Sequence, residues 1–186
     1  YGLGNISNVT RAIQHLGYDV ILTCNDKDVQ KAEAIVLPGV GHFQDAMHSI
    51  EEKSIKDMLK NIHDKPVIGI CLGMQLLFQH SAEGDVSGLE LVPGNIVPIQ
   101  SSHPIPHLGW NELKSTHPLL QSDVYFVHSY QAEMSEYVVA YADYGTKIPG
   151  VIQYRNYIGI QFHPEKSGTY GLEILNQALK GGFIND

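Results

Sequence analysis

Apolar residues recur at helical spacing at Val9, Ala12, Ile13 and Leu16, and Gly17 follows as a stop, so the pattern predicts an amphipathic helix over 8–16. The next apolar runs, 18–23 and 34–37, are too short for helices and read as strands with a short polar helix between them. Residues 43–50 and 54–63 return to helical spacing, Pro66 opens the apolar run Val67-Ile68-Gly69-Ile70, and 72–78 is helical again. Strands alternating with helices predict a parallel sheet with helices on its faces. The second half reads differently: short strand-like runs at 96–99, 125–127, 137–141, 150–154 and 157–162 are joined by turns such as Arg155-Asn156, which fits antiparallel pieces. A last helix over 169–179 turns Leu172, Ile174, Leu175, Ala178 and Leu179 inward and stops at Gly181-Gly182. The fold class is therefore α/β, a mixed, mostly parallel sheet with flanking helices. No repeat, low-complexity tract or Pro-rich linker divides the 186 residues, so one domain over 1–186 is expected. The opening Tyr1-Gly2-Leu3-Gly4-Asn5 is a turn of the kind that follows a strand, which predicts a further short strand ahead of it.

Charge and composition narrow the function more than the fold. With 12 basic and 20 acidic residues, a net charge of -8 and no basic run, the chain lacks the clustered Lys and Arg that nucleic-acid phosphates require. No apolar stretch approaches the roughly 20 residues needed to span a bilayer, and the start resembles neither a signal nor a transit peptide, so a cytoplasmic location is expected. Two cysteines, Cys24 and Cys71, are too few for a disulfide scaffold and read as free thiols. Ten histidines invite a metal, but they are scattered, and the helix-like spacing from His103 to His107 is interrupted by Pro104 and Pro106. Neither a metal nor a cofactor is expected.

Candidate chemistry centres on Cys71. It lies between a buried strand and a helix in Gly69-Ile70-Cys71-Leu72-Gly73, where flanking glycines allow a sharp strand-to-helix turn. The helix N-terminus favours thiolate over thiol, and strand ends are where open α/β sheets bind ligands. A small buried hydrophobe is the commoner fate of a cytosolic cysteine, and Cys24, without this context, keeps that structural reading. A thiol nucleophile needs a base, and His163 closes a strand and precedes Pro164 and Glu165. Residues two apart in an extended segment point the same way, so the Glu165 carboxylate can fix the imidazole tautomer. His15, His48, His63 and His80 read as structural; His128, also at a strand end but with no adjacent carboxylate, reads as a wall of the substrate pocket. Acyl transfer further requires N–H donors for the oxyanion, and the backbone of Val40, within Gly39-Val40-Gly41, and that of Leu72 are the candidates. The turn Pro38-Gly39-Val40-Gly41 alone would read as an ordinary turn.

In this order, Pro38-Gly39-Val40-Gly41, Cys71-Leu72-Gly73-Met74-Gln75 and His163-Pro164-Glu165 resemble the class I (triad) glutamine amidotransferases. The opening Tyr1-Gly2-Leu3-Gly4-Asn5, together with Pro106-His107-Leu108-Gly109-Trp110-Asn111, Phe126-Val127-His128-Ser129-Tyr130 and residues 161–168, is similar to the glutaminase subunits of imidazole glycerol phosphate synthases. The likeness covers almost the whole chain. It implies a flavodoxin-like sheet and a glutaminase that forms a heterodimer with a (β/α)8-barrel cyclase of histidine biosynthesis. Ammonia would pass through the barrel to a phosphoribosyl-formimino substrate, giving imidazole glycerol phosphate and an aminoimidazole carboxamide ribotide. The resemblance also implies that Gly39, Gly41, Gln75, His128, Ser129 and Tyr130 hold glutamine, and that Asn5, Asn8, Trp110, Tyr125 and Lys166 sit at or near the cyclase. His42 and Gln79-His80 depart from the family pattern without touching the triad. The competing readings are a glutaminase serving a pyridoxal phosphate, guanylate or anthranilate synthase, and a cysteine peptidase or redox-sensing binding protein on a related sheet.

Overall fold

A computed structural model describes residues 5–52 and 55–184; the first four residues of the opening turn, any strand ahead of them, and Ser54 at the start of the fourth predicted helix lie outside the described residues. The helices are α1 (Ile6–His15), α2 (Asp26–Lys31), α3 (Phe43–Glu52), α4 (Ile55–Lys60), α5 (Leu72–Leu76) and α6 (Gly168–Leu179). The strands are β1 (Ile35–Gly39), β2 (Val67–Cys71), β3 (His80–Ser81), β4 (Val86–Ser87), β5 (Asn95–Pro98) and β6 (His107–Lys114), followed by β7 (Asp123–His128), β8 (Tyr130–Ala132), β9 (Val138–Asp143), β10 (Lys147–Tyr154) and β11 (Tyr157–Ile160).

Seven strands form the main sheet in the order β1-β2-β11-β10-β9-β6-β7, and β4-β3-β5-β8 make a smaller one. The sheet is mixed, as its sequence predicts, but not mostly parallel: among the described residues two of its strand pairs are parallel and four antiparallel, because β6, β7, β9, β10 and β11 succeed one another with no α-helix between them to make a crossover. Parallel pairing runs through β1, β2 and β11, and the hairpin at Arg155-Asn156 starts an antiparallel series toward β7. Strand β2 is buried along its whole length, which is why it reads as an unbroken apolar run: Val67 packs with α3 and α4, whereas Ile68 and Ile70 face the side covered by α1 and α6. Each such isoleucine contributes roughly 1.5–3 kcal/mol through burial.

The predicted strand over 18–23 does not form. No described strand pairs with it, and Ile21 and Leu22 are 72% and 69% exposed. An extended segment becomes a strand only when a neighbour satisfies its N–H and C=O groups, so apolar composition alone did not suffice. Strand β6, in contrast, carries no apolar alternation in sequence because His107 and Asn111 occupy positions that point to the sheet's covered face.

Two glycines set how closely the layers approach. A Cβ on Gly73 would lie 1.8 Å from the Leu37 carbonyl oxygen, and one on Gly69 would lie 2.4 Å from the Gly73 carbonyl oxygen. Helix α5 therefore rests directly on the backbones of β1 and β2, with Cys71 at its head.

Candidate active site

Strand β1 runs parallel to β2 with Gly39 in register with Cys71, so the loop carrying Val40 and Gly41 leaves the sheet beside the sulfur. Gly41 has φ +107, a conformation that side chains resist, and nothing lies within 4 Å of where its Cβ would be; it is glycine for backbone reasons. Cys71 itself has φ 53 and ψ -113, a strained conformation for a residue with a side chain, held by the strand behind it and the helix ahead. The sulfur lies 4.0 Å from the Val127 carbonyl oxygen.

His163 arrives from the far side. Its N–H donates to Tyr125 O at 2.9 Å, and Ser167 ties the following turn down by donating to His163 O at 2.6 Å while accepting from Tyr125 N at 3.0 Å. The ring is buried, and Nδ1 donates to Glu165 Oε1 at 2.8 Å. Asn5 Nδ2 donates to the same oxygen at 2.6 Å. With the Nδ1 hydrogen committed to Glu165, the 3.2 Å approach of Asn5 Nδ2 to Nδ1 is a contact rather than a second hydrogen bond. Nε2 makes no hydrogen bond of good geometry, yet Cys71 is close enough to influence the ring. Burial acts to lower the basicity of His163, but hydrogen bonding and negative charge from Cys71 and Glu165 outweigh it and raise the pKa to about 9. Burial pushes the Glu165 carboxyl up, and the imidazole and Asn5 pull it below the ordinary range.

A cavity of about 370 Å³ collects Val40, Gly41, Cys71, Leu72, Gln75, His128, Ser129, Tyr130 and His163, together with Glu83, Pro106 and Val127. Gly39 stays buried in β1 and does not line it. Gln75 spends both amide hydrogens on Tyr130 O (2.9 Å) and Gln161 Oε1 (3.0 Å), so only its Oε1 remains for a ligand. The five residues expected at a partner surface divide. Asn8 and Lys166, both exposed, line a second cavity of about 550 Å³ with Arg11, His15 and Glu165, on the outer side of the carboxylate. Trp110, 58% exposed, meets Tyr125 edge-on at 6.0 Å between ring centres. Asn5 is buried against Glu165 instead.

Residues 1–180 match the family profile of the class I glutamine amidotransferases. The chain belongs to that family. The amidotransferase is 99% identical over its full length, and over 97% of the relative, to the imidazole glycerol phosphate synthase subunit HisH of Staphylococcus epidermidis. It is 66% identical to HisH of Staphylococcus saprophyticus, covering 94% of that relative. A crystal structure described as a glutamine amidotransferase superposes with a TM-score of 0.78 at 16% identity, covering 96% of this chain and 95% of the other, a likeness of fold. Such identity over the whole chain places the amidotransferase among the HisH subunits.

Sequence reasoning missed Asn5 as a partner of Glu165, and Glu83 and Pro106 as cavity walls. Glu83 accepts from Phe43 N at 3.2 Å and lies 3.4 Å from His42 Nδ1, so it holds the loop after Val40 from 40 residues away, a pairing no local pattern announces. The other buried histidines of the amidotransferase oppose His163 in sign. Burial lowers His128 to about 3 and His107 to about 4. A raised pKa stabilises the fold fully below the unfolded value of about 6.5 and loses that contribution as pH rises through about 9. The two depressed histidines stabilise above about 6.5 and lose their contribution as pH falls toward 4 and 3. These three groups together put maximal stability near pH 6.5. Melting temperature scanned against pH should fall on both sides, and His107→Phe should make the acid limb shallower by one proton; an unchanged acid limb would contradict the assignment.

Proposed function

We propose that this amidotransferase hydrolyses glutamine to glutamate and ammonia through a thioester on Cys71, and delivers the ammonia to a (β/α)8-barrel cyclase with which it forms a cytoplasmic heterodimer. The cyclase would use that ammonia to make imidazole glycerol phosphate and an aminoimidazole carboxamide ribotide. The observation that carries the reading is that Cys71 and His163 share one cavity, with Glu165 bonded to His163 from behind it, in a chain 99% identical to a HisH subunit.

His163 Nε2 takes the thiol proton as sulfur attacks the carboxamide carbon, and the raised basicity of the ring favours that transfer. The backbone N–H groups of Val40 and Leu72, two residues that line the cavity with Cys71, receive the oxyanion in the working state. Collapse of the tetrahedral intermediate breaks the C–N bond, and His163 returns its proton to the departing ammonia. His163 then deprotonates water, which attacks the thioester and releases glutamate with the thiol restored. Glu165 keeps the Nδ1 hydrogen in place throughout. Gly39 and Gly41 shape the loop; Gln75 Oε1 and the wall at His128, Ser129 and Tyr130 hold the substrate. Asn8 and Lys166 on one side, and Trp110 with Tyr125 on the other, offer the surface for the cyclase around the His163 turn, with Asn5 linking that surface to Glu165.

The Val40 peptide lies between two glycines and turns with little steric resistance, so it is the part of the site suited to control. In the isolated subunit its N–H points away from the oxyanion, and the cyclase with bound substrate shifts the population toward the competent orientation. One oxyanion donor is worth about 100- to 1000-fold in turnover, so stimulation falls on kcat. Glutamine hydrolysis by the subunit alone, by the complex, and by the complex with cyclase ligand tests both levels. No glutamate in any of the three sinks the glutaminase reading, equal kcat in all three sinks the switch, and a change confined to KM points to closure of the His128-Ser129-Tyr130 wall.

A further inference from the structure

Behind the His128 wall of the cavity lies a polar cluster, formed with His107 and Asn111, that the proposed chemistry leaves without a role. Strand register sets His107 of β6 directly opposite His128 of β7, with His107 Nδ1 3.1 Å from His128 Nε2. His128 Nδ1 lies 2.8 Å from Tyr130 O. A carbonyl oxygen only accepts, so the hydrogen of His128 is on Nδ1 and its Nε2 is a bare acceptor. His107 must then donate from Nδ1, which leaves its own Nε2 to accept from Asn111 Nδ2 at 3.3 Å. Asn111 places another hydrogen on Asp143 O at 2.9 Å. Every proton in the series is thereby assigned, and an extra one on either ring would set two donors against each other.

We propose that His107 is a positioning residue for the glutamine pocket: the one-directional series Asn111 to His107 to His128 holds the wall of the cavity at the Tyr130 carbonyl. The inference rests on the glutaminase reading of that cavity. Three observations support it. The Tyr130 carbonyl also receives Gln75 Nε2, so the series ends on the atom that anchors the cavity's amide side chain. His107 itself does not line the cavity and touches no reacting atom. Its ring is clamped between Phe126 and Tyr144, with centroids 4.4 and 4.0 Å away, so it is not free to flip to the other arrangement. Burial holds both rings neutral, which the series requires.

Stacking alone would be served by a phenylalanine, which separates packing from proton direction. In the complex with cyclase, His107→Phe should raise KM for glutamine about tenfold, the worth of one lost buried hydrogen bond, with kcat within about twofold. His107→Asn, whose amide nitrogen can stand where Nδ1 stood, should bring KM back to within about threefold of wild type. A wild-type KM in the phenylalanine variant, or no recovery with asparagine, overturns the proposal. Nitrogen-15 NMR of the wild-type complex gives a readout independent of any variant folding: both rings should appear as the Nδ1–H tautomer, and an Nε2–H tautomer on either overturns it. A wild-type complex without glutaminase activity would sink the functional reading instead, while the tautomers would still decide whether the series exists.

Discussion

Cys71→Ala should reduce glutamine hydrolysis by about 10,000-fold or more, because removal of the nucleophile leaves only the residual effect of binding and the oxyanion donors. Cys71 sits under strain at φ 53, and alanine has no greater conflict there, so the fold and the surface around Trp110 and Lys166 should persist. The complex should therefore still make its products when ammonia is added directly. Glutamine-driven and ammonia-driven synthesis, measured on the same preparation, separate the possibilities. Wild-type glutamine turnover would remove Cys71 from the chemistry, and loss of the ammonia-driven reaction would place the defect in assembly.

His163→Ala should cost about 1000- to 100,000-fold in kcat, and Glu165→Gln distinctly less. The difference follows from the hydrogen bonds. His163 carries the proton, and no other group in the described cavity stands in its place. At position 165, a glutamine can still present its amide oxygen to the Nδ1 hydrogen at about the present 2.8 Å, with Asn5 Nδ2 donating to the same oxygen, so the tautomer survives. What disappears is the negative charge that helps raise the imidazole to about 9. The Glu165→Gln enzyme should accordingly show its activity limb displaced toward lower pH. A glutamine variant more defective than the alanine variant under saturating substrate would reverse this division of roles.

The parts of the site legible in sequence were those whose geometry is local. Cys71 stood out because a strand, a glycine-flanked turn and a helix follow within a few residues, and His163 with Glu165 because the two lie two residues apart, although Pro164–Lys166 forms a 3-10 turn rather than the extended segment expected. The parallel half of the sheet was legible through the buried run of β2. What stayed hidden depends on register between distant strands: His107 meets His128 only because β6 and β7 pair, and Glu83 reaches Phe43 across 40 residues. Asn5 was expected at or near the cyclase from the family likeness alone, and its contact with Glu165, 160 positions away, had no local signal. The strand over 18–23 failed for the opposite reason: its composition is right for a strand, but no described strand pairs with it.

The contact between Gly73 and the Leu37 carbonyl constrains how any signal can act. Leu37 is two residues before Gly39, and Gly73 two residues after Cys71; with no side chain between them, β1 and the nucleophile's helix are butted together like two beams bolted at one joint. Pulling β1 along its axis would drag Cys71 with it and leave the distance from sulfur to Val40 unchanged. On the proposed switch, a signal that distinguishes an idle site from a working one acts past the joint, as a swivel of one peptide at its free end.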